Sequence, residues 1–230
     1  MKKYIILIPI YNDRESLTKL IEDINSEAKS LNAEISVIII NDASSQQIID
    51  KYQNTENINS IEIINMKENR GHARCIASGL KYIFEKKEFD YVIPMDGDGE
   101  DRPEEIKNFI QIADQTEDKS IIGERVKRSE SLIFKVCYQA HKILTFAFTN
   151  QSIKFGNFTC LSKSTVKKMI NEKATWNSFS GSLKKIEKNL LSIPSIRGTR
   201  YFGPSKMSFF NLLKHSLSII SVFRKTVLIR

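Results

Sequence analysis

Cysteine is scarce: Cys75, Cys137 and Cys160 are the only three, and no two form a CxxC pair. An odd count at wide spacing excludes a disulfide framework. It fits a reducing, cytoplasmic compartment with the thiols as core filler. The three histidines are equally scattered, so no zinc site is indicated. Five prolines and nine glycines leave no Pro/Gly-rich linker. No low-complexity tract or fixed-period repeat is present, which excludes a solenoid or a long disordered tail. No apolar run approaches the roughly 20 residues of a membrane-spanning helix. The nearest, Met207–Val222, is interrupted by Asn211, Lys214 and His215. The run Tyr4–Ile10 is broken by Pro9 and is too short for a secretory h-region. The chain is therefore expected to span no membrane, though it can lie on one.

The 230 residues are 41% hydrophobic and 27% charged, enough for one sizeable core or at most two small ones. The net charge of +8 hides an asymmetry. Residues 1–119 carry 15 Lys/Arg against 23 Asp/Glu, whereas residues 120–230 carry 20 against 4. A basic rear calls for an anionic partner: phosphates, anionic lipid headgroups or nucleic acid. It also reads, more plainly, as a lysine-rich solvated surface.

Short apolar runs at 4–8, 35–40, 60–65, 90–95 and 119–123 predict strands, the first buried on both faces and the second also buried. Helical spacing follows the first run at Leu17, Leu20, Ile21 and Ile24, with Asn12-Asp13 as turn and cap. It recurs near Ser45–Tyr52, over 70–85, and from Pro103 to about residue 115. Strand and helix alternating with short connections predict a parallel, doubly wound sheet. After residue 124 the alternation stops. Residues 130–149 read as an amphipathic helix and 153–162 as extended; 163–171 and 178–189 read as helices, 190–197 as a strand and 207–223 as an amphipathic helix. With no linker, residues 1–125 and 126–230 are expected to be two parts of one domain.

Ligands of such sheets bind beyond the carboxyl ends of the strands. The polar residues there include Asp96-Gly97-Asp98, the strongest chemical feature of the chain. Two carboxylates one residue apart can hold one hard divalent cation, Mg²⁺ or Mn²⁺, with the remaining positions left to waters and substrate phosphates. Gly97 between them would permit an unusual backbone turn. The same run also reads as a solvated acidic loop. An EF-hand fits poorly, because Asp101 stands where that loop requires glycine.

Several segments taken together resemble the inverting glycosyltransferases that include dolichol-phosphate mannose synthase. Ile8-Pro9-Ile10-Tyr11-Asn12-Asp13 is similar to their opening V-P-x-Y-N-E segment. Asn41-Asp42-Ala43-Ser44 resembles D-D-G-S, and Asn69-Arg70-Gly71-His72-Ala73-Arg74 through Gly79 resembles N-x-G-x-x-x-A-x-x-x-G. Asp96-Gly97-Asp98 stands where their DxD stands. In the rear, Arg125–Glu130, Gly156-Asn157-Phe158 and Arg197–Met207 resemble bacterial polyprenyl-phosphate sugar transferases.

The resemblance implies a GT-A type fold, a mostly parallel sheet flanked by helices with a basic helical C-terminal part. It implies transfer of a sugar, with inversion, from a UDP- or GDP-linked donor to a polyprenyl phosphate or cell-surface glycan precursor. By the same resemblance Pro9, Tyr11, Asp13 and Asp42 would hold the nucleotide, Asn69 and Arg70 would sit near the donor, and Asp96 and Asp98 would bind the metal. Chemistry is compatible: Tyr11 can stack on a base, and Asp42 can accept from a base N–H or a ribose hydroxyl. Each has a plainer reading, Tyr11 as a core-edge residue and Asp42 as a helix cap. Gly71 and Gly79 likewise read as helix entry and close packing.

Asn157 replaces an Asp frequent in those relatives, and an amide is no base. A lipid-phosphate acceptor is already ionised and needs none; positioning and charge neutralisation suffice. A hydroxyl acceptor would require Asp98, Glu100, Asp101 or His141 to take the proton. Arg125, Lys127 and Arg128 are placed to reach phosphates, as are Arg197, Arg200 and Lys206. The expected catalytic set is thus Asp98, Asp101, Arg125 and Arg128, with Asp96, Gly97, Arg200 and Lys206 on the substrate. The helix at 207–223, flanked by Lys206, Arg224, Lys225 and Arg230, would lie on an anionic membrane at the inner face, or pack on the core. Members of that branch often continue into membrane-spanning helices beyond the position of Arg230, and a membrane protein is a further expected partner. Two rival functions fit the sequence less well. A nucleotidyltransferase would need a Gly-rich loop where Tyr11-Asn12-Asp13-Arg14 stands. A non-enzymatic surface or nucleic-acid binder leaves Asp96 and Asp98 without a purpose.

Overall fold

Lys3–Ile10 (β1) is the central strand, and every residue after Lys3 is buried. Its side chains alternate between two apolar layers, as a strand covered on both faces requires. Ile6 and Ile8 face Leu17, Leu20 and Ile24 of α1 (Arg14–Ala28) and Phe109 of α3 (Ile106–Gln115). Ile5 and Leu7 face Ile76, Leu80 and Ile83 of α2 (His72–Lys86), with Val166 of α4 (Lys163–Asn171) and Leu183 of α5 (Phe179–Ile186) in the same layer. The computed structural model describes residues 1–48, 52–127, 153–204, 217–219 and 221–223.

β1 pairs in parallel with β2 (Glu34–Asn41) on one side and β4 (Tyr91–Pro94) on the other. β2 continues in parallel to β3 (Ser60–Asn65). The remaining strands are β5 (Ile121–Lys127), β6 (Phe155–Ser162) and β7 (Leu191–Ile196). The seven strands run in the order β3-β2-β1-β4-β6-β5-β7. The sheet is mostly parallel, as expected, with one strand reversed. β6 inserts between β4 and β5 and runs antiparallel to both. A short apolar strand carries no record of its direction, so this reversal could not be read from composition. The GT-A architecture of helices on a mostly parallel sheet otherwise holds, and strands from both parts of the chain complete one sheet.

The helix expected near Ser45–Tyr52 is absent over Ser45–Ile48, and residues 49–51 lie outside the described residues. Asn12 Oδ1 instead accepts the backbone N–H of Ser45 at 2.8 Å and of Gln46 at 3.3 Å, which ties this coil to the end of β1. The expected helix at 130–149 also lies outside the described residues. Of the segment 207–223, residues 217–219 are helical, and Ile219, Val222 and Phe223 are buried against Ile153 and Ala174. These three side chains therefore pack on the protein, as the plainer reading had it. Among the described residues no helix is long and apolar enough to cross a membrane. Cys75 and Cys160 are buried and free, while Cys137 lies outside the described residues.

Gly79 illustrates how tightly α2 meets the sheet. A Cβ there would lie 2.4 Å from Leu7 Cδ1 and 3.1 Å from Ile40 Cγ1. Both neighbours are fully buried. Gly79→Val should therefore lower stability by about 1–3 kcal/mol through overpacking, read as a shift of the urea midpoint without a change in slope.

Candidate active site

Strand order places the site. From β1 the chain proceeds outward to β2 and β3, then returns to add β4 on the opposite flank. The point of reversal lies between β1 and β4, and a cleft opens next to it, at the carboxyl ends of β1 and β2 and the entry of α2. Pro9, Ile10, Tyr11, Asp42, His72 and Cys75 line it. Tyr11 is 47% exposed, which leaves its ring available for stacking.

The acidic loop leaves β4 directly into this region, and its two glycines have separate roles. Gly97 does not have the unusual backbone expected of it. A Cβ there would approach Ile10 Cδ1 to 3.0 Å and the Pro9 carbonyl to 3.3 Å, so glycine lets the loop lie against β1. The left-handed turn falls at Gly99, with φ 85°. A Cβ at Gly99 would also strike the Tyr201 ring at 2.4 Å. The loop is anchored behind by buried Glu105, which accepts from Ser195 Oγ at 2.6 Å and from the Ile196 N–H at 2.9 Å.

Each carboxylate has a different environment. Asp96 Oδ1 lies 3.2 Å from Asn157 Nδ2 and 3.4 Å from His72 Nε2, and that nitrogen is 2.6 Å from the same amide. Burial pushes the Asp96 carboxyl up, but His72, Arg197, Arg125 and the Asn157 amide outweigh it and hold it below the usual range. Burial and the Asp96 charge instead push Asp98 up to about 6. The same two causes push Asp101 up to about 7. Asp101, 5% exposed, accepts the Asp96 backbone N–H at 2.9 Å. Asp98 Oδ1 accepts the Glu100 N–H at 3.1 Å, and its Oδ2 accepts from Arg200 Nη1 at 2.8 Å. The other terminal nitrogen of Arg200 pairs with Asp13. Arg197 pairs with Glu100, and its buried Nη1 has no hydrogen-bond partner.

Most of the expected residues are brought together. Pro9, Tyr11 and Asp42 line the cleft; Asp96, Gly97, Asp98 and Asp101 belong to the acidic loop, Arg200 contacts it, and Asp13 is joined to it through Arg200. The Arg125 guanidinium lies over Gly156 on the neighbouring strand, where a Cβ would approach its Nη2 to 2.4 Å. Its charge reaches both Asp96 and Asp101. Asp42 also caps: its two oxygens accept the backbone N–H groups of Arg70 at 2.7 Å and Gly71 at 2.8 Å. That fastens the entry of α2, where Gly71 has φ 88°. Asn69 and Arg70 are exposed beside it, with Arg70 paired to Glu68. Arg128, Lys206 and His141 lie outside the described residues. His72 and Tyr201 went unassigned in the sequence. His72 opens α2 directly after the Asn69-Arg70-Gly71 turn, a position that could have flagged it.

Asp96 and Asp98 suit a hard divalent cation by donor chemistry. Among the described residues no group of three or more His, Cys, Asp or Glu converges on one point. Remaining ligands would then be waters and phosphate oxygens, the pattern Mg²⁺ favours.

A switch-point cleft beside a strand-end carboxylate pair places the chain in the GT-A class of α/β folds. A model of glycosyl transferase family 2 matches residues 5–176, and the chain belongs to that family. Among solved structures it is similar to glucosyl-3-phosphoglycerate synthase from Mycobacterium tuberculosis in complex with Mn²⁺, UDP and glucosyl-3-phosphoglycerate. The TM-score is 0.66 at 12% identity, over 98% of this chain and 80% of that one. It is also similar to S. aureus TarS, with TM-score 0.54 at 14% identity over 84% of this chain. The matched region spans 35% of the TarS chain. TarS residues 1–349 in complex with UDP-GlcNAc match with TM-score 0.54 at 14% identity, over 86% of this chain and 59% of that one.

The shifted carboxyls make a stability prediction. A buried acid held above its unfolded value, about 3.9 for Asp, opposes folding once it ionises. Its cost grows from the unfolded pKa up to the folded one and is constant above that. With EDTA present, lowering the pH from 8 to 5.5 should therefore raise the melting temperature, by about 2–6 °C. Asp101→Asn should be more stable than the parent at pH 8 and show a flatter profile in differential scanning calorimetry.

Proposed function

We propose that this chain transfers a sugar from a UDP- or GDP-linked donor to an anionic acceptor oxygen, with inversion at the anomeric carbon. The observation that carries the reading is the position of Asp96 and Asp98 beyond the carboxyl end of β4, with Asp96 3.4 Å from His72 of the neighbouring cleft. Tyr11 and Pro9 would hold the base, and Asp42, already fixing the α2 entry, would face the ribose. A divalent cation held by Asp96 and Asp98 would neutralise the departing diphosphate. Arg125 and Arg197 would supply further positive charge around that group.

Asn157 supports an acceptor that arrives ionised. The side chain that approaches Asp96 at 3.2 Å is an amide, which can orient groups and cannot take a proton. A phosphate, such as that of a polyprenyl phosphate at the cytoplasmic face of a membrane, needs no base. The basic residues of 120–230 would attract it and the anionic surface around it.

Calorimetric titration with UDP and with GDP, each with and without Mn²⁺, tests the donor site. One nucleotide should bind only with Mn²⁺, and Asp96→Ala/Asp98→Ala should weaken that binding about tenfold or more. If neither nucleotide shows metal-dependent binding to a chain with native circular dichroism, the reading fails.

A further inference from the structure

Residues 197–204 form a strap over the acidic loop. The Gly198 N–H donates to the Glu100 carbonyl at 2.8 Å, and the Tyr201 N–H to the Asp98 carbonyl at 2.9 Å. The Tyr201 ring covers Gly99, and its hydroxyl donates to Asp23 Oδ2 at 2.6 Å. Arg200, between these anchors, bridges Asp98 and Asp13. Its side chain is only 13% exposed, and Nε donates to the Phe202 carbonyl at 2.9 Å, which orients the fork.

Two carboxylates from separate elements, both largely buried, repel each other unless a cation stands between them. The guanidinium is that cation, and it uses Asp98 Oδ2, an atom that a divalent ion would also need. Both cannot occupy the same oxygen at full strength. From this we infer that Arg200 is a resident counter-cation: its grip on Asp98 and Asp13 must be released before Asp98 can ligate a divalent ion. Strap position and cation binding are then one exchange. The arrangement keeps the loop folded in either condition, because one positive group replaces another. Gly198 and Gly203 bracket the segment. Gly203 has φ 69° with nothing near its Cβ position, and a Cβ at Gly198 would lie 3.0 Å from the Gly99 carbonyl. The released guanidinium carries its charge at the edge of the donor cleft, where a diphosphate would accept it.

The inference rests on the proposed use of Asp96 and Asp98 as cation ligands, and its test separates the two. Mn²⁺ alone is titrated calorimetrically into the full chain, Arg200→Gln, Arg200→Lys and Asp98→Asn. Arg200→Gln should bind Mn²⁺ about tenfold more tightly than the parent, since a charge-assisted pair no longer competes. Arg200→Lys keeps the charge but cannot fork between two carboxylates, so it should fall between them; this comparison stands if the Gln variant does not fold. Asp98→Asn should lose most of the binding. Equal Mn²⁺ affinity in the parent, Gln and Lys chains, still lost in Asp98→Asn, overturns the exchange and leaves the cation site intact. Absence of Mn²⁺ binding in all of them overturns both.

Discussion

Like charge concentrated at one strand end governs this structure. Asp96, Asp98, Glu100 and Asp101 fall within six consecutive residues leaving β4, all at least partly shielded from water. Carboxylates so close cannot all ionise in a poorly solvated place without compensation. The fold answers with a different device for each. Asp96 meets an amide and an imidazole, Asp98 and Glu100 each meet an arginine, and Asp101 is pushed toward its protonated form. This spread of environments favours the anion at Asp96 and the protonated form at Asp98 and Asp101.

The compensating groups come from the rear of the chain, which gives the charge asymmetry a structural meaning. β6 inserts beside β4 and brings Asn157; β5 carries Arg125; the strap after β7 brings Arg197 and Arg200. Three arginines of the basic rear thus offset the charge of the acidic loop in the front. Glu105 ties the helix entry after the acidic loop to the end of β7, so the strap that carries the arginines starts from a fixed point. Glycine makes the approach possible at Gly97, against β1, and at Gly99, beneath Tyr201.

On the opposite side of the cleft, Asp42 acts through geometry as much as charge. By accepting two backbone N–H groups at the α2 entry it joins β2 to the turn that precedes His72. Asn12, in a left-handed conformation with φ 50°, similarly ties the β1 end to the loop after β2. The ends of β1 and β2 are therefore held by side chains rather than by regular structure. A cleft bounded this way keeps its shape while leaving main chain and Tyr11 accessible.

Periodicity alone determined most strands and helices here, because β1, β2 and β4 are continuous apolar runs and α1 and α2 repeat at helical spacing. Motif order determined the family and the acidic pair, since four short segments must all fall at strand ends for the pattern to make sense. Direction of β6, the true turn at Gly99 and the coil at Ser45–Ile48 were decided by tertiary structure. Each depends on a partner distant in sequence: a neighbouring strand, the Tyr201 ring, the Asn12 amide. Contacts between Arg200 and Asp98, 102 residues apart, and between Arg200 and Asp13, 187 apart, were likewise invisible in the chain. A charged residue in a sequence carries its sign but no address; the strand order and the strap after β7 together put that guanidinium between two carboxylates.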